Sequence, residues 1–382
     1  MKIVCFYHSL VSDWNHGNAH FLRGIATELI ERGHEVVVYE PRDGWSLTNL
    51  RAEQGEEPLR DFGVAYPRLT TNFYLEPARP RAAGGESPGF SSSGPGAGQL
   101  QIDAMLDGAD VVLVHEWNAP ELVRRIGRHR RDHRYRLFFH DSHHRAVTNP
   151  VAMSAFDLCD YDGVLVYGEA LRQVYLERGW GARNVWTWHE AADTRVFHPR
   201  PEIRRTRDLV WIGNWGDEER SAELREFLTE PARRLGLTTT VHGVRYPADA
   251  RAELRSAGID FRGWLPNFRV PEVFAAHRVT LHVPRRPYVE SLPGIPTIRP
   301  FEALACGIAL ISAPWNDCEG LFTPGKDFLV AKNGREMQRQ LRAVLSDKRM
   351  ARELATHGRA TILAQHTCAH RVDQLLEIVR QT

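Results

Sequence analysis

The stretch GIPTIRPFEALACGIALIS, residues 294–312, combines a glycine-containing turn, a helix start and a short apolar run. Pro300 suits the first turn of a helix, because its missing N–H would have no intrahelical acceptor there. The run IALIS (308–312) is continuously apolar, which is typical of a strand buried on both faces of a parallel sheet. The stretch therefore predicts a helix followed by a buried strand, the unit from which α/β sheets are built.

Similar apolar runs alternate with helical patterns along nearly the whole chain. In the first half they are KIVCFY (2–7), EVVVY (35–39), DVVLVH (110–115), YRLFFH (135–140), DGVLVY (162–167) and NVWTW (184–188). In the second half they are DLVWIG (208–213), LTTTVH (237–242), VTLHV (279–283), IALIS (308–312) and DFLVA (327–331). Between the first two runs, residues 22–29 carry apolar side chains at helical spacing, and Gly33 is the predicted C-cap. We predict an α/β protein with two doubly wound parallel sheets, one in a domain over 1–200 and one in a domain over 201–364.

The bulk composition limits the classes of function. With 382 residues the chain exceeds the size of most single hydrophobic cores, which favours two domains. Lys and Arg number 49 against 48 Asp and Glu, so the net charge gives no reason to expect a nucleic-acid partner. The five cysteines are scattered without zinc-site spacing, which indicates a reduced, cytoplasmic protein. No apolar run approaches the roughly 20 residues of a membrane span, and strand-like IVCFY follows Met1-Lys2 directly, so we expect the start to be mature protein.

Residues 78–98 are rich in Pro, Gly and Ser and lack a hydrophobic period. We expect them to form a flexible loop inserted in the first domain. Gly94, Gly96 and Gly98 imitate the spacing of a dinucleotide-binding turn, but that motif needs a strand before it, and none precedes these glycines. A Walker-type Gly-Lys-Ser/Thr sequence is also absent. The sequence therefore indicates no requirement for a cofactor.

Polar side chains follow several of the predicted strands. Ligands of open parallel sheets bind outside the carboxyl ends of the strands, because helix N-termini and loops converge there. In the first sheet the candidates are His8, Asn15, Gly17, Asn18, His115, Glu116, His140, Asp141 and His143. In the second sheet they are Gly213, Asn214 and the loop 284–297. Both sets belong to the same edge of their sheets, so we predict that the two domains face each other across a binding cleft.

Several of these residues have an ordinary structural interpretation as well. Asn18 fits a helix cap as well as a ligand contact, and Gly17 fits a simple turn as well as a close backbone approach. For His140, Asp141 and His143, general-base or hydrogen-bonding roles stand beside capping and structural roles. A metal site is disfavoured, because the adjacent His143 and His144 cannot easily face one ion.

Glu302 is placed by the pattern in the first turn of the predicted helix, where the helix dipole favours a negative charge. A dipole-stabilised surface glutamate is one interpretation. Its neighbours Phe301, Ala303, Leu304 and Ala305 are apolar, however, so the carboxylate needs a partner. The vicinal hydroxyls of a sugar would supply two donors.

Five motifs together resemble a known family. RPFEALACGIALIS followed by EGLFTPGKDFLVAKN is similar to the signature block of the GT-B nucleotide-sugar glycosyltransferases of retaining family 4, and within it of the CgeB-like, spore-coat branch. NAHFLRGIATELIERGHEVVVYEP, TWHEAADTRVFHPR and VWIGNWGDEER resemble the first helix and second strand, the end of the first domain, and the opening of the second domain. The resemblance implies a GT-B fold of two Rossmann-like domains facing across a cleft.

The resemblance also implies roles for individual residues. Glu302 would hold the ribose hydroxyls of a nucleotide-diphosphate sugar, and the amides of Thr297 and Ile298 would face its diphosphate. Gly213 and Asn214 would make room for the diphosphate, Arg220 would neutralise it, and Trp264 would lie near the base. His140 or Asp141 would orient the acceptor or the sugar, with the acceptor bound among His8, Asn15, Gly17, Asn18, His115, Glu116 and His143. The implied reaction is a metal-independent transfer to a hydroxyl of a glycan, lipid or natural product with retention of configuration, with UDP-sugars favoured over GDP-, dTDP- or ADP-sugars.

One departure from the family pattern bears on catalysis. The family has a second glutamate eight residues before the one that matches Glu302, and this chain has Gly294 there. The family uses the missing carboxylate on the donor sugar. Arg299, before the Phe-Glu pair, is a candidate second phosphate ligand. The amphipathic segment RVDQLLEIVR (371–380) lies in a C-terminal helix, 365–382, which in the family packs back on the first domain and suggests hinge closure.

Three alternatives remain open at this point. A non-catalytic nucleotide- or glycan-binding protein and a sugar-nucleotide epimerase share the architecture. The arginine-rich segment 124–136 fits a solvated helix and turn, and it also fits a weak peripheral contact with an anionic membrane.

Overall fold

A computed structural model describes residues 1–15, 17–75 and 101–382. The predicted insert at 78–98, with Gly94, Gly96 and Gly98, lies outside the described residues. No helix of the described part is both long and apolar enough to cross a membrane.

The first sheet has seven parallel strands in the order β3-β2-β1-β4-β5-β6-β7. Its strands are β1 (Lys2–Phe6), β2 (Glu35–Pro41), β3 (Thr71–Tyr74), β4 (Val111–His115), β5 (Arg136–Asp141), β6 (Gly163–Val166) and β7 (Val185–Thr187). Every residue of the central strand β4 is buried, as its continuous apolar run predicts.

The second sheet has six parallel strands in the order β10-β9-β8-β11-β12-β13. They are β8 (Arg207–Ile212), β9 (Thr239–His242), β10 (Asp260–Phe261), β11 (His277–His282), β12 (Ala309–Ser312) and β13 (Leu329–Val330). In both sheets the first strand of the domain lies next to the fourth, so both contain the crossover at which open α/β sheets bind ligands.

Helices cover both faces of the two sheets. In the first domain they are α1 (Ala19–Glu31), α2 (Trp45–Gln54), α3 (Glu57–Ala65), α4 (Ile102–Leu106), α5 (Pro120–Arg130), α6 (Arg145–Thr148), α7 (Pro150–Met153) and α8 (Glu169–Arg178). After β8 they are α9 (Ser221–Leu224), α10 (Glu230–Leu235), α11 (Ala248–Ser256), α12 (Val270–Ala276), α13 (Arg286–Glu290), α14 (Ile298–Ala305), α15 (Gly334–Ser346), α16 (Lys348–Gln365) and α17 (Cys368–Gln381). A π-helical turn at Arg225–Thr229 and a 3₁₀ turn at Asn267–Arg269 complete the set.

The predicted fold class is confirmed. The two strands that the sequence patterns missed are β3 and β10, which form the same outer edge of the two sheets. Edge strands are short and partly exposed, as in TNFY of β3, so they lack the apolar run that marks a buried strand.

The last helix, α17, returns to the first domain. Its apolar face, with Val372 and Leu375, lies in the same core cluster as Leu22 and Ile25 of α1. Ahead of the helix, Thr367 forms a β-bridge with Ala192. The two ends of the chain therefore share one hydrophobic core.

One local prediction was wrong. Helix α14 begins at Ile298, with Thr297 as its N-cap at a φ of 58°, so Glu302 is the fifth residue and lies beyond the first turn. The helix starts earlier than Pro300 indicates, because Thr297 makes the sharp turn that redirects the chain. The helix dipole is weaker at that depth, so Glu302 depends on side-chain partners instead.

Candidate active site

The carboxyl ends of the two sheets meet in a cleft. Direct contacts between the two domains close this cleft. Asn214 Nδ2 donates a hydrogen bond to Asn15 Oδ1 over 2.6 Å. At Gly17, a Cβ atom would lie only 2.9 Å from Ile298 Cγ2, so the loop before α1 rests on the N-terminus of α14. Asn15 and Gly17 of this loop therefore face the second domain.

Glu302 and His20 form the innermost contact between the domains. The Asp193 N–H donates to His20 Nε2 over 2.8 Å, so the ring proton must be on Nδ1. Nδ1 then donates to Glu302 Oε1 over 2.9 Å, and both side chains are fully buried. The His20 ring also stacks on Phe197 at 3.8 Å between centroids. No sequence pattern pointed to His20, because its partner lies 282 positions away.

The second oxygen of Glu302 is also engaged. Arg299, one turn earlier on α14, donates to Glu302 Oε2. Both carboxylate oxygens of the predicted ribose ligand thus have protein donors in this closed arrangement. A ribose contact stays a prediction, and it requires Arg299 to move away from Glu302.

Three arginines converge beside the N-terminus of α14. Arg220 donates to the Asn214 carbonyl over 3.0 Å and to the Val283 carbonyl over 3.2 Å, and the described residues place no carboxylate within ion-pair distance of it. Burial, reinforced by the nearby charges of Arg285 and Arg299, lowers the pKa of the Arg220 guanidinium to about 9. The group is still charged at neutral pH, so this corner of the cleft suits an anion. Arg285 lies in the candidate loop 284–297, but the sequence does not distinguish it there from a surface arginine.

Asn214 organises this arginine cluster. Its Oδ1 accepts hydrogen bonds from Arg220 over 2.5 Å and from Arg285 over 3.0 Å. Arg285 is also paired with Glu219. The structure therefore brings the predicted donor-side residues Asn214, Arg220 and Arg299 into one electropositive cluster with Arg285.

Gly213 fits the predicted requirement for space. A Cβ atom there would lie 2.8 Å from Trp211 Cζ2 and 3.3 Å from Arg220 Nη2. A larger residue would therefore push on the guanidinium that faces the cleft. The predicted base-side residue Trp264 contacts the first domain, where its Nε1 donates to Asp13 Oδ1 over 3.1 Å.

On the first-domain side, the polar candidates form a connected chain. Asn18 occupies the N-cap position of α1 but makes no capping hydrogen bond with its side chain. Its Nδ2 donates instead to Ser142 Oγ over 2.6 Å, and that hydroxyl also lies 3.0 Å from His115 Nε2. The candidates on β1, β4 and β5 therefore converge at one sheet edge, as predicted.

Glu116, Trp117 and Arg145 make a second polar group at this edge. Glu116 is buried and pairs with Arg145, whose guanidinium lies 4.0 Å from the centre of the Trp117 ring. Burial raises the pKa of the Glu116 carboxyl to about 8, although Arg145 opposes the shift. Trp117 contacts the rings of His8 and His143 at 5.9 and 5.1 Å between centroids.

Asp141 and His140 lie deeper than the other candidates. Asp141 Oδ2 accepts from the Tyr175 hydroxyl over 2.7 Å, and Oδ1 accepts from the His143 N–H over 3.0 Å. Burial raises the pKa of Asp141 to about 6. His140 lies between Trp188 and Phe21, and burial lowers its pKa to about 3, so its ring is neutral at pH 7. These contacts hold the 141–144 loop in place.

Gly294 has no room for a side chain. Its φ is 88°, and a Cβ atom would lie 2.9 Å from both Cys318 Sγ and Glu319 Cγ. Glu319 fills the space, and its Oε2 lies 2.7 Å from His189 Nε2 of the first domain. Glu190, the next residue, is a buried carboxylate that sequence reasoning did not single out.

Neither a metal-binding cluster nor a free basic patch stands out among the described residues. Within the described ranges, no three His, Cys, Asp or Glu side chains are grouped so as to hold a metal ion. In the segment 124–136, Arg124, Arg130 and Arg131 pair with Glu121, Asp162 and Asp160. These pairs are those of a solvated helix, and the membrane contact stays a prediction for flotation with and without anionic lipid.

The fold is that of the GT-B class, with two Rossmann-like domains and a cleft between their carboxyl edges. Residues 220–377 match the model of a family described as Glycosyl transferase-like. No curated protein matches the chain by sequence.

Solved structures share the whole architecture at low sequence identity. Anabaena HepE in complex with UDP is 13% identical, with a TM-score of 0.65 and 100% of both chains covered. Sucrose-phosphate synthase from Thermosynechococcus elongatus is 14% identical, with a TM-score of 0.64 and coverage of 100% of this chain and 98% of that one. An alpha-glucosyltransferase in complex with UDP-glucose and DNA containing an abasic site is 10% identical, with a TM-score of 0.67 and coverage of 100% and 99%.

Proposed function

We propose that the chain is a glycosyltransferase that moves a sugar from a nucleotide-diphosphate sugar to a hydroxyl acceptor, with retention of configuration and without a metal ion. The observation that carries the proposal is the cluster of Arg220, Arg285 and Arg299 at the N-terminus of α14. Guanidinium groups and free helix amides are the donors that bind a diphosphate. The Glycosyl transferase-like family match at 220–377 and the UDP complexes of HepE support the same assignment.

The donor would bind mainly to the second domain. Its diphosphate would lie between Arg220 and the amides of Thr297 and Ile298, with the base toward Trp264. Arg299 would then turn from Glu302 to the phosphate, because a diphosphate carries more negative charge than one carboxylate. That exchange would free Glu302 Oε2 for the ribose hydroxyls. UDP-sugars are the favoured donors, since UDP and UDP-glucose are bound in HepE structures of the same fold.

In the proposed reaction the bond from the anomeric carbon to the phosphate oxygen breaks, and the nucleoside diphosphate keeps the electron pair. The acceptor oxygen forms the new bond to the same carbon from the leaving-group face, and its proton passes to a phosphate oxygen. The three arginines would stabilise the negative charge that develops on the leaving group, which is the task of a divalent ion in metal-dependent transferases.

The acceptor would bind at the first-domain edge, among His8, Asn15, Gly17, Asn18, His115, Glu116 and His143. Asp141 would hold the 141–144 loop by accepting a hydrogen bond from the His143 amide. His140 would remain neutral and add no charge beside this loop. The acceptor would be a glycan, lipid or natural product. We also propose that the protein belongs to the CgeB-like branch and that it is cytoplasmic.

A non-catalytic nucleotide-binding protein is the second candidate, and Gly294 favours it, because the family's sugar-binding glutamate is missing there. The two candidates differ in one product. A transferase incubated with donor and acceptor releases free nucleoside diphosphate, whereas a binding protein does not.

Thermal-shift measurements against UDP, GDP, dTDP and ADP test the proposal first. We expect stabilisation by at least one of them, because the electropositive cluster needs an anion. UDP should give the largest shift, since UDP-sugars are the favoured donors. Release of nucleoside diphosphate from the matching sugar donors, with EDTA present, then tests transfer without metal. Absence of any shift would contradict the proposal, and binding without release would leave the non-catalytic candidate. Conversion of the donor sugar in the absence of acceptor would identify an epimerase instead.

A further inference from the structure

Glu190 is a buried carboxylate whose side chain has no hydrogen-bond partner in the described part of the chain. It follows β7 by three residues, and 2% of its surface is exposed. Neither of its oxygens has a hydrogen-bond donor among the described residues. Such burial is unfavourable unless a ligand supplies donors or positive charge.

Glu190 lies where the two domains meet, because the adjacent His189 is hydrogen-bonded to Glu319 of the second domain over 2.7 Å. The charge of Glu190 interacts with Glu302 and Arg299 of the second domain, and it affects Tyr167 at the end of β6 and Tyr288 on α13. The hydroxyl of Tyr167 donates to that of Tyr288 over 2.8 Å. Burial and the charge of Glu302 raise the pKa of Glu190 well above its usual value. The carboxyl group thus lies where the two domains meet, beside the arginine cluster.

The backbone around Glu190 is held firmly. His189 is linked to Glu319, and the His189 carbonyl accepts from Arg371 Nε over 2.9 Å. Two residues later, the Ala192 N–H donates to the His366 carbonyl over 2.9 Å. A carboxyl group on such a support is positioned before a ligand arrives, which lowers the entropy cost of binding.

The second domain cannot supply this carboxylate at position 294. Gly294 has a positive φ, and Cys318 and Glu319 occupy the space of a side chain. The nearby Glu319 is already bound to His189 and to the Glu169 N–H at 2.9 Å. Glu190 is the buried acid at the junction whose oxygens both lack a described partner.

We propose that Glu190 contacts the sugar of the donor, where the sugar hydroxyls supply the hydrogen-bond donors that it lacks and the positive charge that develops at the anomeric carbon favours its carboxylate form. The first domain would then provide the sugar-side carboxylate that the second domain lacks at Gly294. The inference rests on the proposed function, since it assumes a nucleotide-sugar donor in the cleft.

Glu190→Gln tests the inference, with Glu177→Gln on the exposed end of α8 as the matched control. UDP binding is measured by calorimetry, and turnover is measured with whichever of UDP-glucose, UDP-galactose and UDP-N-acetylglucosamine the wild-type protein uses fastest. We expect UDP affinity within about twofold of wild type and a loss of about a hundredfold or more in kcat/KM, as for other charge-stabilising groups. The melting temperature should stay equal or rise, because an unpartnered buried acid is removed.

Each other outcome overturns the inference. Equal kcat/KM in Glu190→Gln and Glu177→Gln would show that the carboxylate does not act on the sugar. A lower melting temperature with a parallel loss of UDP binding would show a structural role. Failure of the wild-type protein to bind any nucleoside diphosphate would overturn the proposed function and this inference with it, and that result is recognised before any variant is made.

Discussion

His20 of the first domain and Glu302 of the second form a hydrogen bond that joins the two domains in the interior of the protein. Because the Asp193 N–H occupies the other ring nitrogen, the direction of the bond is fixed: the imidazole donates and the carboxylate accepts. Glu302, the proposed ribose ligand, therefore also joins the second domain to the first.

His20→Ala should weaken closure and stability together. It removes the donor to a buried carboxylate, which costs about 2–3 kcal/mol in the free energy of unfolding. Chemical denaturation of His20→Ala, Glu302→Gln and the double variant measures the coupling between the two residues. Additive effects of the two substitutions would show that the bond contributes nothing in solution.

Arg220→Ala should lower turnover by about a hundredfold or more, because it removes a guanidinium assigned to the leaving group. Arg255→Ala, on the exposed face of α11, is the control for loss of one positive charge from the same domain. Steady-state kinetics and melting temperature are measured for both. If Arg220→Ala keeps wild-type turnover, Arg220 has no place in the site.

Gly213→Ala should weaken nucleotide binding, because the new methyl group would press on the Trp211 ring and on Arg220. Overpacking of this kind costs about 1–3 kcal/mol. Gly63→Ala in α3 is the matched control, since a Cβ atom there meets nothing within 4 Å. Equal UDP affinity and stability in the two variants would contradict the assigned role of Gly213.

Acid should destabilise the protein from about pH 6.5 downward through its buried histidines. Burial lowers the pKa of His140 to about 3, so the unfolded chain binds a proton there well before the folded protein does. The stability that this neutral histidine contributes is complete above pH 6.5 and is lost as the pH falls. Between pH 7.5 and 5.5 the loss is about 1.4 kcal/mol for one such group.

His140→Gln removes that titration. The difference in unfolding free energy between pH 7.5 and 5.5 should therefore shrink by about the same 1.4 kcal/mol relative to wild type. Denaturant unfolding at the two pH values measures it. A difference as large as that of wild type would mean that His140 is protonated in the folded protein.

Most strands of both sheets could be predicted from the sequence, because the burial of a strand is visible in its own run of residues. Strands such as β4 and β12 are continuously apolar, and a run of that kind is buried on both faces wherever it occurs. Edge strands β3 and β10 carry no such signal. Both are partly exposed to solvent, and exposed positions need not be apolar. The helix containing Glu302 was predicted from the sequence, but its first residue was not. That residue is set by the backbone turn at Thr297, and a threonine does not predict such a turn.

The candidate site divides in the same way. Gly213 and Asn214 were found because they directly follow a strand end, where topology directs side chains to the cleft, whereas Arg220 was indicated only by the resemblance of VWIGNWGDEER to the family. Glu190 was missed, and Arg285 was covered only by the candidate loop 284–297 without being singled out, since a glutamate or an arginine in a loop is ordinary until its neighbours are known.

The sequence by itself determined that two parallel sheets form and that polar side chains gather at their carboxyl edges, because strand burial and strand direction follow from local pattern. Only the tertiary structure decided which of those side chains are paired across the domains. Glu302 is satisfied by His20 and Arg299, whereas Glu190 is buried with no described partner. The difference arises because the free energy of a buried charge depends on the donors around it, and those donors come from distant parts of the chain.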